Sequence, residues 1–317
     1  MEEKINRLSA SHKGLMPIRV LQHNLVYAFE NINPGFLALT AKVSREQGLD
    51  TGIGYKIEEE KVESPYAVFG KIFMQEAFLS FMWCNCFSLT VLYEESIVKQ
   101  SKNDFYGNED EKIDFPAARD AYKLWEYGIS LLSKYSAWDT TLPNPELVDP
   151  KYAELIPKVN SLFLTALKFV LAHEFAHIEL RHSERTAELE NQKELSIKFE
   201  KEADGRAIEL VLAGNDDINR VTTNIGTLIG LCSLLFFKST TMGEEHPDTD
   251  ERIDAIINII NPDMQDAMWG LATLAYRLWA NQYLVTLDWK EGLESPKELY
   301  HYIKNQVKDH NKGKRGC

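Results

Sequence analysis

The residues of this sequence with the plainest chemistry are His173, Glu174 and His177, in the stretch LAHEFAHIELRH. They form an HExxH. On an α-helix, positions i and i+4 differ by about 40° around the axis, so both imidazoles leave the same face. One zinc ion (Zn2+) then takes both at about 2.0–2.1 Å. Glu174 stands beside the open coordination position, where it takes a proton from a water and later gives it to a leaving amine. The preceding SLFLTALKFVLA is almost wholly apolar, so the histidines extend a buried helix. Unliganded imidazoles would be costly polar groups there. The competing reading is a pair of core histidines bonded to backbone groups.

A zinc hydrolase needs a third protein ligand and keeps the fourth position for water. The metzincin arrangement asks for Gly at 180 and His at 183. The chain has Leu180 and Ser183, and His182 falls one position early. The other solution is a glutamate on a second helix, and IKFEKEADGRAIELVLAG follows downstream. Glu200 and Asp204 are i and i+4 and share a face with Ala203 and Ala207, whose small side chains allow close helix approach. Glu200 is the preferred ligand. Asp204 is placed to accept the outer N–H of a ligand histidine and so fix its tautomer. Glu202 lies about 200° around from Glu200 and points away, but it stays open as a competing ligand. Without the HExxH, this run would read as an acidic solvated face.

A third element is EEHPDTDERI. Pro247 followed by acidic residues is good chemistry for a helix start. His246 would sit just before that helix, placed to donate to the oxyanion of a tetrahedral intermediate. A histidine that merely caps or packs is an equally open reading. Arg252 reads as an ion-pair partner rather than a catalytic group.

These residues need a helical framework. From Ser161 onward, segments 161–182, 195–213, 217–238, 248–260, 263–287 and 296–307 have helical spacing. The tail HNKGKRGC reads as a frayed end. The first half is more mixed. FLALTAKV (36–43) and GYKIEEEKV (54–62) alternate partially and read as a strand pair. The stretch 66–97 reads as a long helix, 101–116 as an exposed loop, and 117–136 as a helix. TTLPNPELVDP, with three prolines, is the best boundary. The expected fold class is mainly α (α+β). Two lobes are expected: 1–150, with short strands and helices and any substrate or trigger recognition, and 151–317, a helical catalytic region.

Composition narrows the partners. The 317 residues are 44% hydrophobic and 26% charged, ordinary for a globular protein. A net charge of −13 weighs against nucleic acid and against anionic membranes. Cys84, Cys86, Cys232 and Cys317 form no pair of CxxC motifs, so a cysteine zinc site is not expected, and this usage points to the cytosol. The opening MEEKINRLSASHKG lacks the apolar core of a secretion signal. Residues 77–93 carry no charge, but they sit at the short limit for a bilayer span and are diluted by Ser80, Asn85, Ser88 and Thr90. They read as a buried core helix. Residues 1–150 contain no P-loop, no dinucleotide fingerprint and no basic stripe.

Taken in order, AHEFAHIELRH (172–182), FEKEADGRAIE (199–209) and EEHPDTDERI (244–253) resemble the gluzincin peptidases of family M48. They resemble more closely the Lit phage-exclusion peptidases of family U49, over residues 160–260. That resemblance implies a zincin-like fold and a cytoplasmic bacterial metalloendopeptidase used in phage defence by abortive infection. It implies elongation factor Tu as the protein substrate and a phage-derived or system-encoded activator. Carried over by residue, His173, His177 and Glu200 match the ligands and Glu174 the base. The alternatives are an M48-like regulatory or quality-control peptidase, and a non-enzymatic zinc-bound sensor on a zincin scaffold. The intact Glu174 argues against the sensor, because a purely structural site has no need of that carboxylate.

Overall fold

Apolar spacing builds the helices, and their order along the chain decides which side chains meet. The computed structural model describes residues 17–56, 60–95, 116–187, 192–213, 217–241, 247–263, 266–289, 293 and 295–315. The elements in the first part are α1 (Arg19–Glu30), α2 (Phe36–Gln47), β1 (Asp50–Lys56), β2 (Tyr66–Val68), β3 (Lys71–Gln75), α3 (Glu76–Tyr93) and α4 (Pro116–Ser130). There follow α5 (Leu155–Glu179), α6 (His182–Ala187), α7 (Gln192–Leu212), α8 (Asp217–Cys232), α9 (Thr249–Ile260), α10 (Ala267–Tyr283) and α11 (Pro296–Arg315). A 3-10 turn, Ser233–Phe237, extends α8. The described residues are mainly helical with one small sheet, as the pattern of the sequence predicts.

Helix α5 is the central element. Ile156, Val159, Phe163, Ala166 and Leu167 recur at helical spacing and are buried. Beyond them, Leu171 to Ala176 are all buried. Helix α8 crosses α5 closely. A Cβ added at Gly226 would lie 2.7 Å from Thr165 Cβ and 2.9 Å from the Leu162 carbonyl oxygen, so only glycine fits that crossing. Helix α3 is buried on nearly every face, and Trp83 Nε1 donates to Asn160 Oδ1 at 2.8 Å, tying α3 to α5. One contiguous core runs from Ile18 to Val307. Two helical stretches, Leu155–Glu179 and Asn219–Phe237, are long and apolar enough to cross a membrane by length and composition. Their most apolar windows are 44% and 61% buried inside the protein, as core helices also are.

The first half differs from its sequence pattern in two places. FLALTAKV lies in helix α2, not in a strand. Phe36, Thr40 and Val43 form its buried face, a spacing of i, i+4, i+7, and Gly48 in the left-handed region closes it. The sheet is instead β1–β3–β2, with β1 parallel and β2 antiparallel to β3. Of 54–62, residues 54–56 belong to β1. The stretch expected as one helix over 66–97 begins with a hairpin, and α3 starts only at Glu76. Phe69 and Gly70 both have positive φ, 49° and 74°, the geometry of a tight primed turn. In the tail, α11 runs on to Arg315 rather than fraying at 310. The loop expected at 101–116 lies, up to residue 115, outside the described residues.

Candidate metal centre

The last turns of α5 and the middle of α7 supply the polar side chains of the site. His173, Glu174, Glu200 and Asp204 are all buried, which charged groups tolerate only when paired. Ala203 and Ala207, fully buried on the facing side of α7, let the two helices meet. His173 Nε2 and His177 Nε2 are 3.1 Å apart. Glu200 reaches them with Oε2 at 3.3 Å from His173 Nε2 and Oε1 at 3.2 Å from His177 Nε2. A tetrahedral ion with bonds of about 2.0–2.1 Å holds its ligands about 3.3–3.4 Å apart. The three side chains are thus spaced to hold one metal ion. Glu202, the competing carboxylate, stands outside this cluster, against His182 and Arg185.

The groups behind the cluster are charged and ordered. Asp204 Oδ1 faces His173 Nδ1 at 3.0 Å, a hydrogen-bonding distance. Arg252, from α9, donates to both Asp204 oxygens at 2.7 Å. Its Nη2 also lies 4.0 Å from Glu200 Oε2. Burial pushes the Asp204 carboxyl up, but Arg252 and His173 outweigh it and hold the group near 2. For His173, burial favours the neutral ring, yet Asp204 and Glu200 override it and push the ring up to about 10. The carboxylates that raise it, Asp204 and Glu200, would stabilise any cation at the cluster. Burial raises the Glu174 carboxyl, with the two histidines pulling the other way, so it is a stronger base than an exposed glutamate.

Sequence reading alone does not find a second chain of hydrogen-bonding groups, which runs from His177 through buried His182 to partly exposed Glu202. His182 Nδ1 lies 3.0 Å from His177 Nδ1, and His182 Nε2 lies 3.2 Å from Glu202 Oε2. Burial and the neighbouring His177 push His182 down to about 4, against the pull of Glu202. The HIELRH run offered one hint, a histidine five residues beyond the second ligand position. His246 lies outside the described residues.

The cluster opens into a cleft of about 430 Å³. His173, Glu174, His177 and Glu200 line it, with Arg252 from α9. One wall is Ser64 to Ala67, entering β2, an edge strand of the sheet. Another region is apolar, made by Phe78, Phe169, Leu234 and Phe237. The arrangement joins a metal-ready cluster, a buried carboxylate and a strand edge able to pair with an extended chain.

A family model described as Peptidase U49 matches residues 72–272, from β3 into α10. This covers well over half of the chain and every side chain of the cluster. No curated protein and no solved structure matches the chain.

Proposed function

The chain belongs to the peptidase U49 family, and from that premise we propose that it is a zinc-dependent endopeptidase of the gluzincin type, with His173, His177 and Glu200 as ligands. The observation that carries the reading is the trio of donor groups at 3.1–3.3 Å, the spacing of tetrahedral ligands. Bound there, zinc supplies Lewis acidity to the attacking water and the scissile carbonyl. Glu174 takes the proton from that water and returns it to the leaving amine, so it ends the cycle as it began. Asp204 keeps His173 in the tautomer that presents Nε2, and Arg252 keeps Asp204 ionised. His246 is assigned the oxyanion contact on sequence alone. The substrate lies extended beside β2, adding its backbone to the strand edge, with an apolar side chain toward Phe169 and Leu234.

The biological reading follows the Lit resemblance. The protein acts in the cytoplasm, cleaves a translation factor such as elongation factor Tu, and does so in phage defence once an activator is present. The test expresses wild type and Glu174→Gln in bacteria and maps new protein termini across the proteome, with and without phage infection. Wild type should produce new termini, and Glu174→Gln should produce none while still binding one zinc ion. Cleavage by Glu174→Gln at the wild-type rate would sink the mechanism. New termini confined to other proteins would reject elongation factor Tu.

A further inference from the structure

Both ligand histidines have a second nitrogen facing away from the cluster, and the two are held differently. His173 has Asp204, backed by Arg252. His177 has a longer chain: His182, then Glu202, then Arg185, whose Nη1 donates to Glu202 Oε2 at 2.9 Å. We propose that His182 is a positioning residue of this centre, a neutral imidazole that accepts from His177 Nδ1 and fixes that ligand's tautomer and ring angle. This rests on the reading of His177 as a metal ligand.

The hydrogen positions allow one consistent direction. His177 turns Nε2 to the cluster, so a metal there leaves its proton on Nδ1. The facing atom 3.0 Å away is His182 Nδ1, which must then accept. Its own proton sits on Nε2 and points to Glu202 Oε2 at 3.2 Å. Glu202 accepts from both His182 and Arg185, so every group in the chain is satisfied.

The backbone and the packing fix His182 in place. Helix α5 ends at Glu179, and Arg181 takes a left-handed conformation, φ 55°, before α6 begins at His182. This turn brings the imidazole back over His177 and against α7. Its ring stacks on Phe199 of α7, centroids 4.5 Å apart and planes at 9°. The Arg185 guanidinium lies 4.3 Å from the centre of the same Phe199 ring. A buried imidazole pinned by a stacking ring, a carboxylate and the turn has little freedom to rotate away from His177.

The test uses full-length protein stripped of metal and measures zinc affinity by competition with a chromophoric chelator. In His182→Asn the amide oxygen replaces the accepting Nδ1, while in His182→Gln the amide nitrogen replaces Nε2–H and the acceptor is lost. Partners behind metal ligands are worth about 10–100-fold in affinity. His182→Gln should weaken zinc binding by about that factor, and His182→Asn should recover most of it, with similar melting temperatures for the two metal-free variants. Equal affinity for His182→Gln and wild type overturns the proposal, as does His182→Asn no tighter than His182→Gln. Should His182→Gln fail to fold, Glu202→Ala cuts the same chain from a partly exposed position. Weaker zinc binding there supports the relay, and unchanged affinity overturns it. Wild type that binds no zinc would instead remove the metal reading itself, and the relay with it.

Discussion

At the residue scale, the arginine behind Asp204 sets the charge of the whole centre. The Arg252 side chain is only 10% exposed, and its fork closes on both oxygens of a carboxylate that is buried. Removing one partner of such a pair costs about 3–5 kcal/mol, because the other charge is stranded. Arg252→Ala should therefore destabilise the metal-free protein by about that much in denaturant unfolding, and a loss below about 1 kcal/mol would contradict the pairing. Protons report on the same groups. His173 is raised from its ordinary 6.5 to about 10, so its contribution to metal-free stability is whole below 6.5 and is lost as pH climbs through 10. Asp204, lowered from 3.8 to about 2, contributes above 3.8 and loses that contribution as pH falls through 2. Zinc requires His173 without its extra proton. Its affinity should rise with pH by up to about tenfold per unit between pH 6 and 8. A chelator competition series giving a flat profile over that range would reject His173 as a ligand.

At the element scale, the centre depends on three helices meeting at fixed depth. Helix α5 carries the histidines, α7 the carboxylates, and α9 the arginine. Helix α8 sets the position of α5 through Gly226. Gly226→Val would place its Cβ 2.7 Å from Thr165 Cβ, and such overpacking costs about 1–3 kcal/mol. The melting temperature should fall, and zinc binding should weaken because α5 must shift. An unchanged melt would show that the crossing yields. The pairing of His173 with His177, and of Glu200 with Asp204, was readable in the sequence because helical periodicity fixes which residues share a face. The hairpin before α3 was not. YAVFGKIFMQ is a short apolar run, and such runs do not separate strand from buried helix by periodicity. His182 escaped for a different reason. Its direction depends on one positive φ, at Arg181, a non-glycine residue that gives no compositional sign of a reversal.

At the scale of the whole molecule, the cleft is what the parts make together. Its walls come from the approach to β2, from α3 and α5, and from the turn after α8. Those segments are far apart in sequence, and no local pattern announces that they line one space, which is why the metal cluster was legible and the cleft was not. The net charge of −13 fits this division, since Glu174, Glu200 and Asp204 are negative charges gathered behind one opening. The apolar region of the cleft should therefore select substrates without disturbing the metal. Leu234 lines it and is only partly buried in the core, so a larger side chain there projects into the cleft. With Leu234→Trp, KM for peptides carrying a large apolar residue next to the cut should rise about tenfold, the value of one or two lost methylene-sized contacts. The kcat for small-residue peptides and the zinc affinity should stay near wild type, because Leu234 sits on the turn after α8 and not on the helices that carry the ligands and Glu174. A fall in kcat for all peptides with KM unchanged would place Leu234 outside substrate selection and reject the assignment of this region as the side-chain pocket.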